Sequence, residues 1–189
     1  PGGEIAHIDL DQSNYSGALR LNAPLPGIES INGRIGYSDY KHKEIVLGEG
    51  LLSTFSNKEW EGRVEMLHGG FGAITSGALG VQWGDRDFSA LGEGADYLAP
   101  SNTQMLGGYV FERLALTDTL ELEGAARIES VRVTGATNVL GNVTREFSPF
   151  SIAAGASFRP VESFAFSINL SQTERAPNVV ELFAQGSHE

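Results

Sequence analysis

The residues best suited to chemistry in this chain are histidines and carboxylates in its polar stretches. The four histidines are His7, His42, His68 and His188. Two of them, His42 and His188, fall in segments that read as loops, and with Asp39, Glu44, Asp85, Asp87, Glu93, Asp96 and Glu181 they form a pool of potential ligands. Imidazole nitrogens and carboxylate oxygens are borderline and hard metal ligands, so His42, Asp85, Asp87, Glu93 and His188 form the candidate metal set. No H-x-H or H-x₃-H spacing ties them into one site, and a solvated acidic surface accounts for them equally well. Asp85 and Asp87 share one parity, with Asp39 and His42 in the preceding hairpin. Such groups can activate a water, but nothing in their spacing makes them converge, and the chain reads as a non-enzyme. Tyr40, Arg86 and Tyr97 are suited to stacking on a ligand or pairing with an anion. Arg175 could do the same or cap its own loop, next to a Pro177 that ends a strand. The pieces GEG (48–50 and 92–94) and HGGFG (68–72) lack the strand-loop-helix setting of a phosphate cradle.

Totals narrow the setting. The 189 residues include 13 Lys+Arg and 24 Asp+Glu, a formal net charge of −11. A chain this acidic has no basic stripe with which to meet nucleic acid. The absence of Cys excludes disulfides, thiolate metal sites and thiol nucleophiles. No apolar run approaches the ~18 residues of a membrane helix, and the opening PGGEI is not a secretory leader. Composition alone therefore suits one soluble domain. The 24 glycines, roughly 13% against a usual ~7%, do not.

The order of residues points elsewhere. Alternation dominates: Phe164, Phe166, Ile168 and Leu170 interleave with small polar residues, and Leu120, Leu122, Ala126 and Ile128 with Glu121, Glu123, Arg127 and Glu129. Period two places each set on one face of a strand. Eight strands are predicted, at about 4–23, 28–43, 51–67, 72–88, 103–116, 119–133, 148–159 and 162–174. Short turns at PLPGI (24–28), HGGFG (68–72), LTDT (116–119) and RPVES (159–163) are centred near residues 26, 70, 117 and 161. Longer polar stretches fall between them, at about 40–50, 88–102, 134–147 and 176–189. NVVELFA (178–184) is the one short helical exception.

Short turns at one end, long loops at the other and strands well beyond the usual ~5–6 residues match a membrane β-barrel. Aromatics supply a second test. A ~25 Å apolar band crossed near 45° takes ~10–11 residues of strand. Tyr15 and Tyr37 each lie 11 residues from the turn at 26. Trp60 and Trp83 lie 10 and 13 from the turn at 70, and Phe150 lies 11 from that at 161. Phe71, Phe158 and Phe164 mark the short-turn end. Glu59, Glu61, Arg63 and Glu65 share the opposite parity, which faces a wet lumen in a barrel or water in a soluble sandwich. Wall glycines such as Gly77, Gly107, Gly124 and Gly155 ease curvature or admit a close neighbour.

RAPNVVELFAQGSHE (175–189) resembles a signature of TonB-dependent outer-membrane receptors. SDYKHKE (38–44), TFSNKEWEGRVEMLH (54–68), GVQWGDRDFSALGE (80–93) and the Gly124–Glu129 core fit the same family, and look most like its zinc- and haem-uptake branch. The resemblance implies a 22-stranded antiparallel up-and-down transmembrane β-barrel closed by a plug, located in the outer membrane. Such receptors import metal, haem or a siderophore complex and are energised by the TonB complex through a motif ahead of the plug. On this reading residues 1–189 are a partial barrel, about eight strands of the wall, without plug or remaining strands. Gly94 and Ser187 depart from the family pattern. The implied partners are outer-membrane lipid, TonB and a small-molecule or metal substrate, with no intrinsic cofactor. Two competitors stay open: a complete eight-stranded outer-membrane adhesin or structural barrel, and a soluble β-sandwich binding module.

Overall fold

The computed structural model describes residues 6–46, 48, 50–92, 99–137 and 141–184. Nine strands form one antiparallel sheet: β1 (Ala6–Leu25), β2 (Ile28–Val46), β3 (Gly50–Phe71), β4 (Ile74–Gly92), β5 (Ser101–Ala115), β6 (Leu120–Thr137), β7 (Gly141–Phe147), β8 (Phe150–Val161) and β9 (Phe164–Gln172). The order is β1-β2-β3-β4-β5-β6-β8-β9, with β7 paired to β6 above β8. The sheet is all-β and up-and-down, as expected, and is open, with β1 and β9 at its edges.

One stretch expected to be a loop is not one. Within it residues 134–137 and 141–147 are paired strand: β6 runs to Thr137 and β7 returns from Gly141, pairing Val131 with Phe147 and Gly135 with Val143. β7 and β8 continue each other across Ser148-Pro149, where Pro149 has no N–H for the ladder but its carbonyl accepts from Glu129 N at 3.0 Å. Strand also replaces most of the predicted 40–50 loop, since β2 pairs with β3 up to Val46↔Gly50. The HGGFG turn is displaced as well. His68 to Phe71 belong to β3, and the chain reverses at Gly72-Ala73, with Gly72 at φ 63°.

The longest strand, β3, has 22 residues, so it extends ~70 Å, or ~50 Å of height at a 45° tilt. That is about twice the apolar band of a barrel. The register sorts the side chains onto two faces. One carries Trp60 and Trp83 and is here called the tryptophan face. The other carries Arg34, Arg63 and Arg127 and is called the arginine face.

On the tryptophan face, Tyr15, Tyr37 and Trp60 stack in a row across β1, β2 and β3, with ring centroids 6.3 and 4.6 Å apart. Trp83 lies flat over Gly62 of the neighbouring strand, where any Cβ would strike its ring. Phe150 shares this face opposite Ile128. Towards the short turns the face is exposed and apolar, with Ile35, Val64, Leu79, Val81, Ile152 and Leu170. Phe158 and Phe164 close it at that end. Phe71 does not: its register partner is Ile74, on the opposite parity.

Beyond the aromatic row the same face turns ionic. Lys43 pairs with Asp9 at 3.8 Å, Lys58 with Asp39 at 3.3 Å and Arg132 with Glu146 at 2.7 Å. The arginine face inverts in the opposite sense. Towards the short turns it holds a polar network: Tyr109 donates to Glu65 at 2.6 Å, Arg63 pairs with Glu65, and Arg127 reaches Glu129 and Gln82 at 2.7 and 3.3 Å. Tyr109 also lies over a glycine, Gly80. Beyond the row this face becomes apolar and aromatic, and it holds the cluster of buried residues Val131, Val133 and Phe183.

No register shift falls at the aromatic row, so the inversion there is a change of residue class at constant parity. Glycine accounts for much of the close cross-strand contact. The expectation of a close neighbour holds at Gly77, Gly107 and Gly155. At Gly124 a Cβ would meet nothing within 4 Å, so that glycine leaves open space.

Candidate ligand-binding surface

The arginine face beyond the aromatic row is built by three strands in register. Tyr40 and His42 of β2 stand opposite Asn57 and Phe55 of β3, which stand opposite Phe88 and Ala90 of β4. Alternation puts all six on one face. Their rings run in sequence. Tyr40 meets His42 edge-on with centroids 5.5 Å apart, His42 stacks on Phe55 at 4.6 Å, and Phe55 contacts Phe88 at 6.5 Å. Phe88 then packs against the Val131/Val133/Phe183 cluster. The result is a continuous apolar shelf from β2 to β6, with half-buried rings at one end and a covered core at the other.

Helix α1 (Val179–Phe183), inside the expected helical stretch 178–184, provides the cover. Asn178 caps it, accepting from Glu181 N at 2.9 Å while Glu181 accepts from Asn178 N at 2.8 Å. This reciprocal box satisfies two otherwise orphan donors. Arg175 grips the same carboxylate with both terminal nitrogens, at 2.7 and 2.5 Å. The Glu181 carboxyl is pulled down to about 2 by the Arg175 guanidinium first and the Asn178 N–H second. Phe183, 4% exposed, sits over Gly135, where a Cβ would lie 2.9 Å from its Cγ.

Polar groups border the shelf. Arg86 donates to Asn57 Oδ1, and among the described residues it forms no ion pair. His42 Nε2 lies 3.8 Å from Glu44, and its Nδ1 is buried without a hydrogen-bond partner.

These positions separate the sequence candidates. Tyr40, His42 and Arg86 share the shelf side. Asp85 and Asp87 lie on the tryptophan face, where Asn102 Nδ2 donates to both at 2.8 Å and Gln104 reaches Asp85 at 3.3 Å. Asp39 is on that face too, bonded to the Tyr37 hydroxyl at 3.2 Å and to Lys58. The sheet therefore stands between His42 and the two aspartates of the candidate metal set. Among the described residues no three potential ligands gather in a metal-holding group. Arg175 is held by Glu181, which matches its loop-capping reading. Glu93, Asp96, Tyr97 and His188 lie outside the described residues.

The remaining histidines take other places. His7 is exposed at the start of β1. His68 bonds Glu112 at 3.1 Å over Gly77 near the short-turn end. Two members of the shelf, Phe55 and Phe88, were not anticipated from sequence. Their signal was available, because both sit on the parity of Glu59 and Arg86 and break that run of polar residues.

Nothing on the shelf resembles a nucleophile with its base. The chemistry on offer is stacking, with a guanidinium and an imidazole at the margin.

Residues 4–188 match the family described as TonB dependent receptor-like, beta-barrel. Among solved structures, the copper transporter OprC superposes on 92% of this chain with a TM-score of 0.76 at 13% sequence identity. At that identity the likeness concerns the fold. The chain spans 31% of that protein's length. With the match covering nearly every residue, this chain belongs to the TonB-dependent receptor β-barrel family.

Proposed function

We propose that the chain is part of the wall of an outer-membrane receptor that imports a scarce nutrient. Its tryptophan face meets lipid, its arginine face lines the lumen, and the long hairpins stand outside the cell. The observation that carries this reading is the inversion of both faces at the Tyr15–Tyr37–Trp60 row. Interfacial aromatics mark the edge of an apolar band. An edge between lipid and water accounts for a face that is apolar below the row and ionic above it.

The substrate we infer is a metal chelate or haem, captured on the shelf before energised plug movement draws it inward through the TonB complex. The ring row favours a conjugated body over a bare ion. A bare soft ion such as Cu(I) calls for thioether or thiolate donors, and this sequence has 2 Met and no Cys. Zinc fits less well than a chelate, because the sheet separates His42 from Asp85 and Asp87.

The test is binding of haem, a ferric siderophore and Zn²⁺ by the full-length receptor, with Phe55→Ala and Phe88→Ala as variants. Haem or siderophore binding weakened by up to about tenfold is expected, with Zn²⁺ unaffected. Chelate binding untouched by both substitutions would sink the shelf as the capture surface.

A further inference from the structure

We infer that residues 173–184 form a hinged strap whose latch is Phe183 on Gly135, and that the strap covers the β6 end of the apolar shelf. The inference rests on the receptor reading for its purpose but on geometry for its existence. The strap leaves the sheet where β9 ends at Gln172. Its base is polar: Glu174 Oε2 accepts from Phe150 N at 3.1 Å, and Glu174 N donates to Ser151 Oγ at 3.2 Å. These bonds hold one point of the chain at the β8 rim and leave the rest to swing.

Beyond Glu174 the attachment changes in kind. Among the described residues, every hydrogen bond and ion pair made by residues 175–184 is internal to that segment. Its hold on the sheet is apolar contact alone, with Phe183 clustered with Val131 and Val133 and with Ala176, Val179 and Leu182 packed against that cluster. Non-directional contact of this kind releases without leaving buried polar groups unpaired, so opening costs only the apolar area it exposes. The Arg175–Glu181 grip and the Asn178 cap shape the strap so that Phe183 is presented to its seat.

Gly135 is what makes the seat. A side chain there collides with the Phe183 ring. Lifting the strap bares Val131 and Val133 and joins them to Phe88 and the ring row. Latched, it restricts a ligand to the Tyr40–His42–Phe55 end. The strap thus sets how much apolar surface a captured molecule can use.

These 189 residues have no native Cys, so in a full-length receptor cleared of any Cys elsewhere a single cysteine reports accessibility directly. Val133→Cys, 1% exposed beneath the latch as valine, is labelled with a membrane-impermeant maleimide in the full-length receptor in outer-membrane vesicles. Slow labelling is expected, rising at least about 10-fold when Phe183→Ala or Gly135→Val is added and staying slow with Phe183→Leu. Asp87→Cys, on the other face, should label at one rate in all backgrounds. Unchanged Val133→Cys labelling in both unlatching variants would overturn the strap. So would an equal rise at Asp87→Cys, which would mean general loosening. Neither readout needs transport, so a failed substrate assignment leaves this test intact.

Discussion

Above and below the Tyr15–Tyr37–Trp60 row, the same strands carry the same alternation and reverse its meaning. Below the row, Val64, Leu79 and Val81 face the tryptophan side while Arg63, Glu65 and Tyr109 face the other. Above it, Lys58, Asp87 and Arg132 occupy the tryptophan side, and Phe55, Phe88 and Val133 occupy the other. A strand has no preference for which face is apolar; its surroundings decide. Where lipid lies outside and water inside, the apolar side chains point out. Where water lies outside, they turn inward and form a shelf. The lower region pairs its charges with one another, whereas the upper region leaves rings half open, which is what a binding surface requires.

The largest test of this contrast is a charge placed on one face at two heights. Val81→Arg should destabilise the membrane-inserted protein by ~2–4 kcal/mol, and Thr134→Arg, on the same face above the row, by less than ~0.5 kcal/mol. Denaturant titration of each variant in lipid vesicles checks it. Equal costs at both heights would mean the row is not a membrane edge.

Glycine seats give the next effect. Gly80→Val, which displaces the Tyr109 ring from its place over the wall, should cost ~1–3 kcal/mol through overpacking. Gly124→Ala, with open space around it, should be nearly silent in the same titration. On the shelf, Phe55→Ala should weaken chelate affinity by ~0.5–1.5 kcal/mol, the worth of one aromatic contact, at unchanged stability. Isothermal titration against the full-length receptor reads it. The exposed Lys58–Asp39 pair is smaller again: Lys58→Ala should change stability by ~0–1 kcal/mol.

A pH prediction applies to the strap. Glu181 ionises well below an ordinary carboxyl because Arg175 and the Asn178 N–H hold its charged form. Its support is therefore complete above the ordinary value of 4.5 and drains away as pH falls through about 2. Amide exchange at Leu182 should be flat from pH 8 to 5 once the intrinsic rate is divided out. Protection should decline only in the acid range, and Arg175→Gln should move that decline upward.

Much of the fold was legible because period-two patterning survives without tertiary contact. Tyr15, Tyr37, Trp60, Trp83 and Phe150 announced a belt by depth and parity. The helix at 178–184 carried its own signal, Asn178 three residues before Glu181. Other features were hidden for identifiable reasons. Gly141–Phe147 reads as loop because its polar Asn142, Thr144 and Glu146 face water on one side while Val143 and Phe147 find their core only against β6 and α1. His68 was assigned to a turn because HGGFG is turn chemistry, yet the reversal falls at Gly72-Ala73 and His68 is held by Glu112, 44 residues away. His42, Asp85 and Asp87 looked like one ligand pool because all three lie toward the long-loop ends of their strands. Only the register shows the sheet between them.

The amino-acid sequence by itself determined eight of the nine strands, their alternation, the aromatic depth and the family, since each depends on residue type at local spacing. Tertiary structure decided which residues meet: the ring row across β2, β3 and β4, the separation of His42 from the aspartates, and Phe183 on Gly135. Those contacts depend on cross-strand register. Register is a sum of turn positions and bulges, such as those at Glu44/Ile45 and Ile28/Ser30, and each one moves every partner beyond it.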